Sequence, residues 1–178
     1  MTGKPILGII GGSGLYQFES LTEVETLELN TPFGKPSSPV FTGFLADRKV
    51  AFLARHGIGH FINPTEVNYR ANIYAFKMLG IQHVVSISAC GSPRDDFAPG
   101  HIVIPDQLFD FTRSRARSFF ENGVVAHIGT ANPYCTALSN LVYQAVSASG
   151  SVEVHKGGTL ITIEGPRFST RAESNLYR

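Results

Sequence analysis

Short apolar runs alternate with longer stretches of helical period along this chain, and that alternation predicts its fold class. Residues 5–10, "PILGII", form an apolar run cut off by Gly11 and Gly12, the pattern of a buried strand. Residues 24–29 alternate with period two and stop at the turn "TPFG", as a half-exposed strand does. Residues 40–45 and 50–54 read as a strand pair around Asp47 and Arg48. From Thr65 the period changes. Val67, Ala71, Tyr74, Ala75 and Met78 fall at helical spacing, with Thr65 as N-cap and Gly80 as the stop. Residues 84–87 and 102–104 are further strand-sized runs. Leu138, Leu141, Val142, Ala145 and Val146 make an amphipathic stripe closed by Gly150, and residues 159–163 form a last strand.

Helices between apolar strands indicate an α/β layered fold, and the hairpin-like early strands make the central sheet mixed rather than purely parallel. The expectation is one domain over residues 1–178, a central mixed twisted sheet flanked by helices. The C-terminus stands apart. Thr170 and Glu173 fit a capping box, so a helix is expected to start there. It runs out at Arg178 with no glycine cap and with Leu176 and Tyr177 apolar, so the sequence reads as a fragment of a longer fold.

Composition narrows the function classes. With 43% hydrophobic and 16% charged residues, the 178-residue chain has the makings of a well-buried core. A formal charge of +1 and the lack of any Lys/Arg run argue against a nucleic-acid or membrane-surface partner. Apolar runs are strand-sized, and no signal-peptide pattern opens the chain. Cys90 and Cys135 follow no metal or disulfide spacing and read as reduced thiols of a cytoplasmic protein.

Four polar clusters sit at strand ends. "GGSG", residues 11–14, follows the first strand. Its glycines can converge backbone N–H groups on an anion and Ser13 adds a hydroxyl, although a plain tight turn fits as well. A dinucleotide-binding loop looks similar, but it needs a full helix after the glycines, and residues 15–21 are too short to supply one. In "LARHG", Arg55 either sits solvated at the rim or holds an anion. His56 and His60 share its glycine-rich loop. Four-residue spacing suits a metal pair on a helix, but Gly57 and Gly59 break a helix, so polar lining is the preferred reading. In "SISACGS", Ser88 offers a hydroxyl and Ala89 a backbone N–H at a strand end of small residues, which also suits simple packing. In "EGPRFSTRAES", Phe168 either joins the core or presents a flat plate to a ring, with Glu164 or Ser169 beside it. Together the clusters place an anion loop, an arginine, hydroxyls and an aromatic plate where open α/β sheets bind ligands.

"GIIGGSGLY", "TPFGKPS", "LARHGIGHFINPTEVNYRANIYAFK", "ACGS", "PGHIVIPDQLFDFT" and "TIEGPRFSTRAES" together closely resemble the S-methyl-5′-thioadenosine phosphorylases, within the trimeric purine nucleoside phosphorylases. The resemblance implies a homotrimer with no metal or organic cofactor. It also implies phosphorolysis: inorganic phosphate attacks C1′ of a purine nucleoside while the base departs. Carried over by motif, Ser13, Arg55, His56, Ser88 and the Ala89 amide should hold phosphate. Cys90 and Gly91 should line the base pocket, with Phe168 packing on the purine and Ser169 near its six-position. His60 and His127 should lie near the 5′-substituent, His127 across a subunit boundary. The family's proton-donating aspartate and its ribose-contacting methionine-threonine pair are expected beyond Arg178, which would leave this chain alone crippled.

Three alternatives remain open, the first of them within the resemblance. They are a 6-oxopurine nucleoside phosphorylase acting on inosine or guanosine, a nicotinamide-dependent oxidoreductase using the glycine turn, and a non-catalytic purine-binding chain.

Overall fold

The computed structural model describes residues 6–12 and 20–178. Its contacts divide the chain into two compact units, Met1–Ala89 with Ala116–Phe119, and Cys90–Arg115 with Phe120–Arg178.

Among the described residues, the first unit holds a five-stranded sheet and one helix. β1 (Leu7–Gly11), β2 (Leu21–Leu27), β3 (Val40–Leu45), β4 (Arg48–Ala54) and β5 (His83–Ile87) stand in the order β2-β3-β4-β1-β5, and α1 (Tyr69–Met78) connects β4 to β5. β2, β3 and β4 pair antiparallel, whereas β1 pairs parallel with both β4 and β5. The sheet is mixed, as the sequence pattern predicts.

Period two decides how the central strands are buried. On one face Ile10, Val40, Ala51 and Leu53 pack with Ala75 and Phe76 of α1. On the other, Ile9, Val50 and Phe52 pack with Leu7, Leu21, Phe41 and Leu45. Adjacent residues of β1 and β4 thus feed opposite cores, which explains why both strands read as continuous apolar runs. Each fully buried side chain of this kind contributes about 1.5–3 kcal/mol.

Helix α1 starts later than its periodicity suggests. The N-cap is Asn68, whose Oδ1 accepts from the Ala71 N–H at 3.1 Å, not Thr65. Thr65 lies in a preceding turn, its N–H donating to Asn63 Oδ1 at 3.0 Å. Two good capping residues stand three apart here, and a tertiary contact selects the second: Asn68 Nδ2 also donates to the Phe33 carbonyl at 2.7 Å. Gly80, at φ 77°, ends the helix in the left-handed conformation that favours glycine.

The second unit holds two parallel strand pairs. β6 (Ile102–Ile104) pairs with β8 (Val154–Lys156), and β7 (Gln107–Asp110) pairs with β9 (Thr159–Thr162). α2 (Thr136–Ser149) lies against β8 and β6, and α3 (Arg171–Tyr177) follows β9. The α2 stripe is present, but no residue of this helix is fully buried, and Leu141 is 62% exposed. β7 (QLFD) and β8 (VHK) carry polar residues among their few positions and so do not show as apolar runs.

No helix of the described residues is long and apolar enough to cross a membrane.

Candidate functional site

Three parallel strands of the first unit end in line. Gly11 of β1 sits opposite Ala54 of β4 on one side and Ile87 of β5 on the other. The next residues, Gly12, Arg55 and Ser88, therefore emerge side by side at the carboxyl edge. This is also where strand order reverses: β4, β3 and β2 extend from β1 to one side, and β5 lies on the other. Such a switch point leaves a crevice between diverging connections, the usual ligand position in an open α/β sheet.

A chain of hydrogen bonds fixes the cation at this edge. His56 Nδ1 lies 2.9 Å from the Ile62 carbonyl, which can only accept, so Nδ1 carries the proton. In the neutral ring Nε2 is then a bare acceptor, and Arg55 Nε donates to it at 3.1 Å. The far end of the guanidinium, Nη1, donates to Ser88 Oγ at 2.6 Å. Arg55 thus reaches across the end of β1, gripped at both ends. Among the described residues no carboxylate pairs with it. His56 is 7% exposed, so its orientation is set by packing as well as by bonding.

The loop that makes this possible is tightly folded. Gly57 at φ 75° lies directly against Phe61, where an added Cβ would come within 2.7 Å of the ring. The turn brings the Ile62 N–H back to the His56 carbonyl at 3.0 Å. His60 stacks beside His56, ring centroids 4.5 Å apart, and is exposed.

Behind the strand end lies a support that sequence reading gave no role. Ser38 Oγ accepts the Ala54 N–H at 3.0 Å, immediately before Arg55. Its neighbour Ser37 is held by Asn72 of α1, which accepts the Ser37 N–H at 2.8 Å and donates to Ser37 Oγ at 3.0 Å. Asn72 and both serines are buried, and each has its partner: Asn72 and Ser37 satisfy one another, while Ser38 Oγ bonds the Ala54 N–H and the Pro39 carbonyl. The signal available in sequence was "KPSS", polar residues leading into an apolar strand, which reads as an ordinary loop.

Of the other residues expected at the site, Ser13 lies outside the described residues. Ala89 follows Ser88 and is exposed. In the second unit, Cys90, Gly91 and His127 are exposed. Burial, and next the charge of Cys90, push the phenol of Tyr134 up. Phe168 is 89% exposed and is not a core residue of this chain. Ser169 Oγ lies 3.1 Å from Ser174 Oγ of α3. Glu164 is committed elsewhere: its carboxylate accepts from the backbone N–H groups of Arg113 and Ser114 and from Arg115 Nε at 3.3 Å, tying loop 113–115 to the end of β9.

Arg167 pairs with Glu173 rather than Glu164, Nη2 to Oε1 at 2.7 Å and Nη1 to Oε2 at 2.8 Å. Glu173 also closes the expected capping box, accepting the Thr170 N–H at 2.7 Å while Thr170 Oγ1 accepts the Glu173 N–H at 3.2 Å. The Arg167 hydrogen bonds and then the Thr170 backbone lower the Glu173 pKa from the ordinary 4.5 to about 2. Because folding depresses this pKa, the cap is complete above the ordinary value and is lost as pH falls from 4.5 toward 2. An NMR titration should find Glu173 titrating near 2, and Arg167→Ala should move its midpoint up toward 4.5. A Glu173 midpoint unmoved by Arg167→Ala would break the assignment.

The sequence pattern of the phosphorylase superfamily matches residues 6–178. The chain belongs to the phosphorylase superfamily. It is 56% identical over 176 residues to S-methyl-5′-thioadenosine phosphorylase of Geobacter sulfurreducens, covering 98% of this chain and 61% of that relative. It is 56% identical over 173 residues to the enzyme of the same name from Chloroflexus aurantiacus, covering 97% of this chain and 60% of the relative. The chain thus spans about 60% of the length of these curated relatives. A solved methylthioadenosine phosphorylase from an antarctic soil metagenomic library superposes with a TM-score of 0.95 at 44% identity, over 99% of this chain and 62% of that one. Methylthioadenosine phosphorylase from Schistosoma mansoni in complex with adenine superposes at 0.91 and 38% identity, over 97% of this chain and 70% of that one. The fold is therefore nucleoside phosphorylase-like, and the α/β class with a mixed sheet stands.

Proposed function

We propose that this chain carries the phosphate-binding side of a nucleoside phosphorylase, and that the protein splits S-methyl-5′-thioadenosine into adenine and 5-methylthioribose 1-phosphate. The observation that supports this most directly is Arg55, held between His56 Nε2 and Ser88 Oγ at the carboxyl edge of three parallel strands. An arginine oriented at both ends and lacking a carboxylate partner among the described residues is prepared for an anion from solution. The curated relatives are S-methyl-5′-thioadenosine phosphorylases, which supports that substrate, and the Schistosoma mansoni protein in complex with adenine supports that base.

In this reading a phosphate oxygen forms the new bond to C1′ while the C1′–N9 bond breaks, its electron pair leaving on the purine, which gains a proton. The intervening sugar is oxocarbenium-like, and the phosphate charge stabilises it from below. Arg55 and Ser88, with Ser13 and the Ala89 amide, hold that phosphate, while His56, expected from its motif to touch the phosphate itself, orients Arg55 because both its ring nitrogens are engaged by Arg55 and the Ile62 carbonyl. Cys90, Gly91, Phe168 and Ser169 line the base side, and His60 and His127 approach the 5′-group, His127 from a neighbouring subunit of a homotrimer. Inorganic phosphate is the co-substrate, and no metal or organic cofactor takes part in this reaction. The setting is cytoplasmic purine and methionine salvage.

The test is base release from methylthioadenosine, adenosine, inosine and guanosine, each with and without phosphate. Phosphate-dependent adenine release fastest with methylthioadenosine is expected. Preference for inosine or guanosine would transfer the assignment to 6-oxopurines, and release that ignores phosphate would overturn the role given to Arg55.

A further inference from the structure

We infer that the second unit carries a divalent transition-metal site built from His101, Glu153 and His155, separate from the residues given to phosphorolysis. Glu153 and His155 are two apart at the entry to β8, so the strand period places both side chains on one face. His101 directly precedes β6, and the parallel pairing of β6 with β8 sets Ile102 opposite Val154. The Ile102 N–H donates to the Glu153 carbonyl at 2.9 Å, which locks the register. Three potential ligands from two segments some fifty residues apart in sequence are thereby brought together by backbone geometry alone.

His101 Nδ1 and His155 Nε2 lie 2.8 Å apart, His101 Nε2 is 3.5 Å from Glu153 Oε2, and His155 Nε2 is 3.8 Å from Glu153 Oε1. One ligand atom from each residue can be chosen so that all lie within 4.8 Å of one another. Nitrogen and oxygen ligands at 2.0–2.2 Å from a tetrahedral ion lie about 3.3 Å apart, so small side-chain adjustments suffice. The assignment gives one ring nitrogen of His101, His155 Nε2 and one Glu153 oxygen to the ion; without it, His101 Nδ1 accepts the Ala98 N–H at 3.3 Å.

The surroundings suit an occupied site. Phe97 stacks on His155 at 4.5 Å, fixing the ring plane. The two imidazoles are mostly covered, at 22% and 19% side-chain exposure, whereas Glu153 is 65% exposed and gives entry from solvent. The cation of Arg94 is engaged by Asp96 at 2.9 and 2.5 Å and lies over Phe97, so its charge is largely compensated. Two imidazoles and one carboxylate favour Zn²⁺ and its neighbours over Mg²⁺ or Ca²⁺, which want all-oxygen shells, and leave at least one position to water. Bound there, the ion staples β6 to β8.

Untagged, chelator-treated protein should bind one Zn²⁺ per chain by calorimetry and gain thermal stability, with no response to Mg²⁺ or Ca²⁺. His155→Ala and Glu153→Gln should each weaken Zn²⁺ binding at least about tenfold, with the apo fold checked by amide NMR spectra. In the unsubstituted protein, Zn²⁺ should shift the His101 and His155 ring resonances and leave those of His60 and His127 in place. Co²⁺ should give a visible spectrum without a thiolate charge-transfer band. Absent saturable binding, binding indifferent to His155→Ala, unmoved His101 and His155 resonances, or a thiolate band from Cys90 or Cys135 would each overturn the site. Loss of phosphorolysis is not a readout here, so this test and that of the proposed reaction fail independently.

Discussion

Replacing Arg55 with alanine should cut kcat/KM for phosphate by 10²–10³, about 2.7–4 kcal/mol, the usual size for removing one preorganised donor to a developing charge. The loss should appear in the phosphate dependence. Nucleoside binding, read from its own KM at saturating phosphate, should move far less. Arg55→Lys should recover only part of the loss. A lysine brings the charge but not the planar fork that meets His56 Nε2 and Ser88 Oγ at once. Ser88→Ala removes one neutral hydroxyl, so its cost should be nearer 1 kcal/mol. In the proposed reaction His56 acts through the guanidinium, so His56→Ala should raise the phosphate KM when Arg55 is present and change little once Arg55 is alanine. An unchanged phosphate dependence in Arg55→Ala would remove the arginine from the site, however well placed it is.

The parts of this arrangement that were legible in sequence are those with a simple physical signature. β1, β4 and β5 show as apolar runs because both faces of the first two are buried, and the glycines that end β1 and the polar Arg55 and Ser88 after β4 and β5 mark the sheet edge. The capping box at Thr170 and Glu173 was legible because its logic is local, and both hydrogen bonds form. What escaped depends on tertiary contact. Asn68 and Thr65 are equivalent caps until the Phe33 carbonyl chooses between them. Phe168 could belong to core or surface, and only the fold exposes it. Ser38 and Asn72 gave no signal as the brace behind Arg55, since the residues they join lie 16 and 35 positions away. Likewise His101 and His155 become neighbours only when two three-residue strands pair in a particular register.

Phe76→Ala should destabilise the first unit by about 3–5 kcal/mol in urea unfolding, the range for deleting a buried aromatic ring. Phe76 is 1% exposed and packs from α1 onto the face formed by Ile10, Val40, Ala51 and Leu53. The site feels this directly, because α1 also carries Asn72, which holds Ser37 beside the support of Ala54. Gly8 reveals how tightly the ring is seated: a Cβ added there would lie 2.6 Å from Phe76 Cε2 and 3.2 Å from Ile81 Cγ2. Its backbone is ordinary strand, so Gly8→Ala carries no conformational strain and its cost, about 1–3 kcal/mol, is overpacking alone. The two changes should therefore not add. Once the ring is gone, the alanine methyl at position 8 occupies vacated space and replaces a flexible glycine in a strand, so the double variant should be more stable than the sum of the singles predicts by at least about 1 kcal/mol. Additive losses would mean that Gly8 and Phe76 do not share that space, and the seating of α1 on β1 would have to be redrawn.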